Sequence, residues 1–341
     1  MTYRHPSNDT PQAGRRRALT AMLAGPLAAA LLATAPQTAT AEGNYPDKPV
    51  TIVVPFAAGG VSDTQARLLA QKLSETWGQP VIVDNKPGAS TVIGMSFTAR
   101  AKPDGYTLVF SDLGTLTIAP ALRKLPYDVV KDFAPISVLT YSPYLLTSHP
   151  SMPFNTLQEL IDYGRANPGE LNYGTSGLGT TPHLAGMLFA SQLGIQWTDI
   201  PAKGGAQTIQ DIISGQVDLQ FNSVFSTGGH VKSGKLKVFA ISSEQRRTDM
   251  PDVPTVSEVL PGFIAGGYQG LLAPAGTPEP VIRKISDDVI RIMRSPEVAS
   301  RLEEMGAEPL AGTPDEMREF IQTDMQRWAK LVKEQNLKLE E

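Results

Sequence analysis

Val50-Thr51-Ile52-Val53-Val54-Pro55-Phe56-Ala57-Ala58-Gly59-Gly60-Val61-Ser62-Asp63 is the stretch on which the reading of this chain turns. Five β-branched or apolar residues form a continuous run that reads as a strand. A loop of small residues follows. Ser62 to Thr76 then reads as a helix, with Ser62 and Gln65 in capping-box register and Leu68, Leu69 and Leu73 on one side. The order is strand, glycine-rich loop, helix. It recurs at Leu171-Asn172-Tyr173, Gly174-Thr175-Ser176-Gly177-Leu178-Gly179-Thr180 and the helix Pro182 to Leu193, with Thr181 as its expected N-cap and Pro182 at N1. Two such units predict an α/β fold of two lobes. Each lobe would be a mainly parallel sheet flanked by helices, with its glycine-rich loop at the carboxyl ends of the strands, where open α/β sheets bind ligands.

Outward from these units, Val81-Ile82-Val83, Tyr106 to Phe110, Trp197 to Ile200, Val217 to Phe221 and Leu236 to Ile241 read as further strands, and Ile136 to Leu146 is a longer apolar stretch. Thr156 with Glu159, Thr277-Pro278, Ser295-Pro296 and Thr313-Pro314-Asp315-Glu316 read as helix starts. Met317, Phe320, Ile321, Met325, Trp328 and Leu331 recur at helical spacing and predict a core-facing stripe on the last helix.

Residues 1–41 read as a signal peptide rather than as part of the fold. Arg15-Arg16-Arg17 precede an apolar run from Ala18 to Ala35, and Ala39-Thr40-Ala41 supplies small residues for cleavage. The arginines fit a twin-arginine signal in part, which leaves both that route and the Sec route open. The expected mature product is a soluble, acidic, periplasmic protein.

Composition excludes several chemistries. Of 341 residues, 41 % are hydrophobic and 19 % charged, enough to bury a core. Cysteine is absent, so disulfides, thiol nucleophiles and cysteine-ligated metals are ruled out. The four histidines, His5, His149, His183 and His230, include no pair at metal-ligand spacing, and no metal or cofactor is expected. A net charge of −4 argues against a nucleic-acid surface. Gly229 to Lys235 has the spacing of a P-loop, but Leu236 stands where Ser or Thr must bind magnesium.

The two loops instead favour an anion. Small residues leave backbone N–H groups accessible, and a helix start adds a positive dipole end, so a carboxylate can be held without Arg or Lys. In the first loop Asp63 either complements the helix dipole or accepts from a ligand donor. In the second, His183 is a candidate donor, and Lys203 near Gly204-Gly205 could add a charge. An enzymatic alternative, an exported hydrolase or transferase, would use Ser176, Asp63 or His183 as nucleophile and base.

The sequence resembles the periplasmic solute-binding proteins of tripartite tricarboxylate transporters, the Bug or TctC-like family. The resemblance rests on Tyr45-Pro46-Asp47-Lys48-Pro49, Val54 to Gly60 with Asp63 and Arg67, Val83-Asp84-Asn85-Lys86-Pro87-Gly88-Ala89, and Lys102-Pro103-Asp104-Gly105-Tyr106. Leu125-Pro126-Tyr127-Asp128, Tyr173 to Gly177 leading to His183-Leu184-Ala185-Gly186, and Leu272 to Pro278 complete it. It implies a two-lobed periplasmic-binding-protein fold with a ligand cleft between the lobes. Lobe one would comprise residues 42–143 and 269–341, and lobe two residues 144–268, with hinges near 141–145 and 266–270. It further implies a small di-, tri- or aromatic carboxylate as ligand and the transporter's membrane permease as partner. The protein would be a monomer and not an enzyme. A sensing partnership with a membrane kinase would use the same site. The ligand residues implied are Phe56, Ala58, Gly59, Gly60 and Asp63 in the first loop, and Gly177, Gly179, Thr180, Thr181 and His183 in the second. Ala202 and the segment Asp112-Leu113-Gly114-Thr115 depart from the family's pattern and lead us to expect a roomier, less polar far end of the cleft.

Overall fold

The computed structural model describes residues 45–202 and 204–334. The expected signal segment and Lys203 lie outside the described residues. The first half runs β1 (Val50–Val54), α1 (Val61–Trp77), β2 (Val81–Asn85), α2 (Val92–Ala99), β3 (Thr107–Asp112), α3 (Leu113–Leu122) and β4 (Phe133–Ser148). It continues through α4 (Leu157–Ala166), β5 (Leu171–Thr175), α5 (Thr181–Leu193), β6 (Trp197–Pro201), α6 (Gly205–Ile213), β7 (Leu219–Ser223), α7 (Val224–Lys232) and β8 (Lys237–Ile241). The chain closes with β9 (Gly266–Pro274), α8 (Glu279–Met293), α9 (Pro296–Glu304), β10 (Glu308–Pro309) and α10 (Pro314–Glu334).

The strands form one curled path ordered β2-β1-β3-β9-β4-β7-β5-β6, with β10 and β8 also paired to β4. The strands that feed helix crossovers are parallel, β1 with β2 and β3, and β5 with β6 and β7. The shared strands add antiparallel pairs, β3 and β4 with β9, and β4 with β7 and β8. The sheets are therefore mixed. β4 serves both lobes: through Pro143 it pairs with β9, and from Tyr144 onward with β7 and β8.

Each lobe has its own core. Val50, Ile52, Val54, Leu69, Leu73, Ile285 and Val289 pack between the first sheet and α1 and α8, while Met95, Leu116, Met317 and Ile321 fill its other face. The second core is aromatic: Tyr173 stacks on Trp197 at 4.6 Å between centroids, beside Phe189 and Phe221. In the expected stripe of α10, Met317, Ile321 and Trp328 are buried, and Trp328 packs with Ile118 of α3 and Leu184 of α5.

Helix starts separate the correct readings from the mistaken ones. Thr156 accepts from the Glu159 amide at 3.2 Å, and at the expected start at Thr313 the Thr313 and Glu316 side chains each accept from the other's backbone amide. The Ser62/Gln65 box does not form. Gly60 is the N-cap of α1, and both side chains turn inward, Ser62 Oγ donating to Gln269 at 2.9 Å and Gln65 accepting from Thr140 at 2.8 Å. The cap of α5 is Thr180 rather than Thr181, which is its first helical residue. Gly229 to Lys232 lies at the end of α7, so the P-loop spacing has no strand before it and no helix after it.

Candidate functional site

The loop after β1 is held from behind. Ala57, Ala58, Gly59 and Gly60 are exposed, Phe56 is half-buried against the core, and Gly59 takes φ +84°, which a side chain adopts only under strain. Asp63, buried in the first turn of α1, reaches back so that the Gly59 N–H donates to its Oδ2 at 2.8 Å. Arg67 closes on the same carboxylate through Nε at 3.0 Å and a second contact at 2.9 Å. Asn85 at the end of β2 donates to Asp63 Oδ1 at 2.9 Å and to the Phe56 carbonyl at 3.1 Å. Burial of Asp63 raises its carboxyl's affinity for a proton, but Arg67, the Gly59 amide and Asn85 together hold its pKa below the ordinary value. All its strong partners are internal, so Asp63 positions the loop. Gly94 completes the support: a Cβ there would lie 2.8 Å from Pro55 and 2.9 Å from the Lys86 carbonyl, so only glycine lets α2 pack under the loop.

The loop after β5 is built the same way with a different acceptor. Gly177 (φ +125°) and Gly179 (φ +74°) shape it, and Thr175 and Thr180 both donate to the Gly177 carbonyl, at 3.1 and 2.7 Å. Buried His183 accepts from the Gly179 N–H through Nδ1 at 3.0 Å. That bond places the ring proton on Nε2, which lies 3.7 Å from Asp199. Tyr173 donates to the Pro182 carbonyl at 2.7 Å and fixes the start of α5. Gly186 makes room for it, since a Cβ there would strike the Tyr173 ring.

The predicted residues therefore divide by role. Phe56, Ala58, Gly59 and Gly60 on one side, and Gly177, Gly179, Thr180 and Thr181 on the other, form the two loops and helix starts. Asp63 and His183 stand behind them. Arg67 is spent on Asp63 and Asn85, and Arg123 donates to the Ser90 carbonyl at 3.1 Å. The site can bind an anion through backbone amides and helix dipoles. The enzymatic constellation is not assembled among the described residues: Ser176 Oγ meets Thr180 Oγ1 at 3.4 Å, while His183 and Asp63 are engaged elsewhere.

A third helix start escaped the sequence reading. Asp112, at the end of β3, is the N-cap of α3, its Oδ1 accepting from the Thr115 amide at 2.9 Å. The segment 112–115 thus carries a carboxylate that caps a helix. Gln269 on β9 links it to α1, accepting from Ser62 and lying 3.4 Å from Asp112 Oδ2. The signal for Gln269 was a lone amide in the apolar run Tyr268 to Ala273.

With this geometry in hand, the likeness to known proteins has a physical basis. The model of the tripartite tricarboxylate transporter family receptor, TctC, matches residues 65–337. The chain belongs to that family. Among solved structures it is similar to the periplasmic binding protein BugD, at 35 % identity and TM-score 0.78, over 86 % of this chain and 99 % of that one. It is similar to Rpa4515 of R. palustris with adipate, at 34 % identity and TM-score 0.80, over 85 % and 98 %. It is also similar to MatC of Rhodopseudomonas palustris with bound malate, at 35 % identity and TM-score 0.76, over 84 % and 100 %. The TctC receptors are solute-binding proteins rather than enzymes.

Proposed function

We propose that this chain is a periplasmic solute-binding protein that captures a small carboxylate between its two glycine loops and delivers it to the permease of a tripartite tricarboxylate-type transporter. One observation carries the reading. Each loop presents backbone amides at a helix start and is braced by a side chain four residues after a glycine, Asp63 for Gly59 and His183 for Gly179. Such a pair suits one carboxylate gripped from both sides. The relatives with adipate and malate support it, as both ligands are small carboxylates.

Residues 1–41 direct export and are removed. Residues 42–143 with 269–341 form one lobe and 144–268 the other. The hinge lies where β4 exchanges one set of partners for another at Pro143, and where β9 begins at Gly266. The ligand stabilises the closed arrangement by its differential affinity for it. Binding requires Phe56, Ala58, Gly59, Gly60, Gly177, Gly179, Thr180 and Thr181 as the gripping surface, with Asp63 and His183 as positioning residues. The protein acts as a monomer.

Thermal unfolding with a panel of mono-, di- and tricarboxylates, and amides as uncharged controls, tests this reading. A ligand at a hundred times its dissociation constant stabilises by about 2.7 kcal/mol, a readily measured midpoint shift. A saturable shift with one carboxylate class, the ligand recovered unchanged, is the expected result. A protein shown empty by mass spectrometry and unmoved by every carboxylate would overturn it.

A further inference from the structure

Asp112 lies where the starts of α1, α3 and α5 approach one another. Asp112 is linked to the start of α1 through Gln269 and Ser62. It caps α3 itself. Across from it, Gly114 sits so close to Thr181 at the start of α5 that a Cβ at 114 would strike the threonine hydroxyl. The Tyr144 hydroxyl lies beside both Asp112 and Thr181. Asp112 is thus set deep in the protein, yet it is not sealed from solvent, as expected at the floor of a cleft.

Its two oxygens are used unequally. Oδ1 accepts from the Thr115 amide at 2.9 Å and the Thr115 hydroxyl at 3.2 Å. Oδ2 has one long bond, from Gln269 Nε2 at 3.4 Å. An ionised carboxylate oxygen has room for two good donors. Position 267 is glycine, and a Cβ there would crowd this oxygen, lying 3.2 Å from Oδ2 and 3.5 Å from the Tyr144 hydroxyl. Burial pushes the Asp112 carboxyl up to about 6, so near neutral pH the protein keeps a buried charge there at a cost. A cap alone does not need that charge, since Ser, Thr or Asn caps a helix as well.

We propose that Asp112 is a specificity-determining residue of the cleft: its Oδ2 accepts a hydrogen bond from a donor, ammonium or hydroxyl, at the ligand end remote from the clamped carboxylate, and it excludes ligands bearing a second carboxylate there. The proposal rests on the carboxylate-binding reading above and narrows it. Two like charges brought together in a desolvated site repel strongly. The preferred ligand is therefore a monocarboxylate with a donor-bearing far end, in contrast to the adipate and malate of the two relatives.

The test is calorimetric titration of the purified protein with matched series of four to eight carbons, each as the α,ω-dicarboxylate, the ω-hydroxycarboxylate and the ω-aminocarboxylate. At the best length, the wild type should bind a donor-bearing acid at least about tenfold tighter than the dicarboxylate. The hydroxy and amino arms show which donor is used. Asp112→Asn should reverse that order, and Gly267→Ala, which crowds Oδ2 without touching the cap, should weaken the donor-bearing ligand selectively. Asp112→Ser, which also retains a cap acceptor, covers the case in which the Asn variant fails to fold. Unchanged ratios between the series in folded variants that still bind carboxylates would overturn the proposal. Absence of binding by every carboxylate to the wild type would instead overturn the carboxylate reading on which it rests.

Discussion

The two glycine loops solve one mechanical problem with different chemistry. In each, a glycine of positive φ offers its N–H to a side chain four residues on, in the first turn of the following helix. In the first loop the acceptor is an anion, Asp63, which then needs Arg67 and Asn85 to satisfy it. In the second it is a neutral imidazole nitrogen of His183, which leaves fewer obligations. The lesson concerns the ligand as much as the loop. An anion behind the first loop would weaken its grip on a carboxylate were its charge not neutralised from the far side, and Arg67, paired at 2.9 Å, does that. The second loop needs no such counterweight.

The sharpest way to break this comparison is to remove each brace. Asp63→Ala strands the Gly59 amide, Asn85 and Arg67 together. We expect a loss of roughly 2–4 kcal/mol in stability, tempered by the exposure of Arg67, and loss of ligand binding. His183→Ala removes one acceptor and a buried ring and should cost about 1–3 kcal/mol, with weakened binding. Denaturant unfolding of both variants decides the order. Equal losses would mean that the Arg67 and Asn85 bonds add nothing to the first loop.

A second comparison sets Asp112 against Asp63, two enclosed carboxylates with opposite shifts. The Asp112 pKa is raised to about 6, chiefly by desolvation, so the ionised form costs stability, and that cost grows as pH rises through about 6. Asp112→Asn keeps the cap acceptor and removes the charge. It should stabilise the ligand-free protein at pH 7.5 by about 1–3 kcal/mol, the gain fading toward pH 4. Thermal unfolding across pH measures this, and a destabilised Asn variant at pH 7.5 would show that the charge supports the fold.

Asp63 has the opposite sign. Its pKa is lowered in the fold, so its contribution is full above the ordinary carboxylate value and is lost as pH falls through the lowered one. In Asp63→Asn that acid-side dependence should flatten. A titration limb of unchanged steepness in this variant would remove Asp63 as its source.

How much of this was legible beforehand depends on whether a residue's role is local. The loops, the helices after them and the helix starts at Thr156 and Thr313 are set by neighbours in sequence and were readable. Ser62 and Gln65 fit a local box equally well, yet their partners, Gln269 and Thr140, come from distant strands. The helix α3 was hidden because Leu-Gly-Thr-Leu-Thr-Ile-Ala-Pro-Ala-Leu is apolar almost all round and contains Pro120. Buried on several sides, it shows no amphipathic period. That concealment also hid Asp112, whose Oδ1 is held by its own segment but whose Oδ2 meets Gln269 of distant β9. Asn85 stood in a recognisable motif, but its service to Phe56 and Asp63 follows only from the pairing of β2 with β1.

The smallest expected effect tests whether the loops act through backbone alone. Gly59 takes φ +84° with nothing within 4 Å of a would-be Cβ, so Gly59→Ala meets no neighbour and pays only for its conformation, about 1 kcal/mol. Its N–H remains in place to donate to Asp63. If the first loop grips through amides held by that brace, the variant should bind the same carboxylate with an affinity within about tenfold of the wild type, the loss tracking the backbone strain. Gly179→Ala, at φ +74°, should behave alike. A far larger loss at Gly59 than at Gly179 would mean that the added methyl occupies ligand space, which would place the carboxylate nearer the first loop than the second.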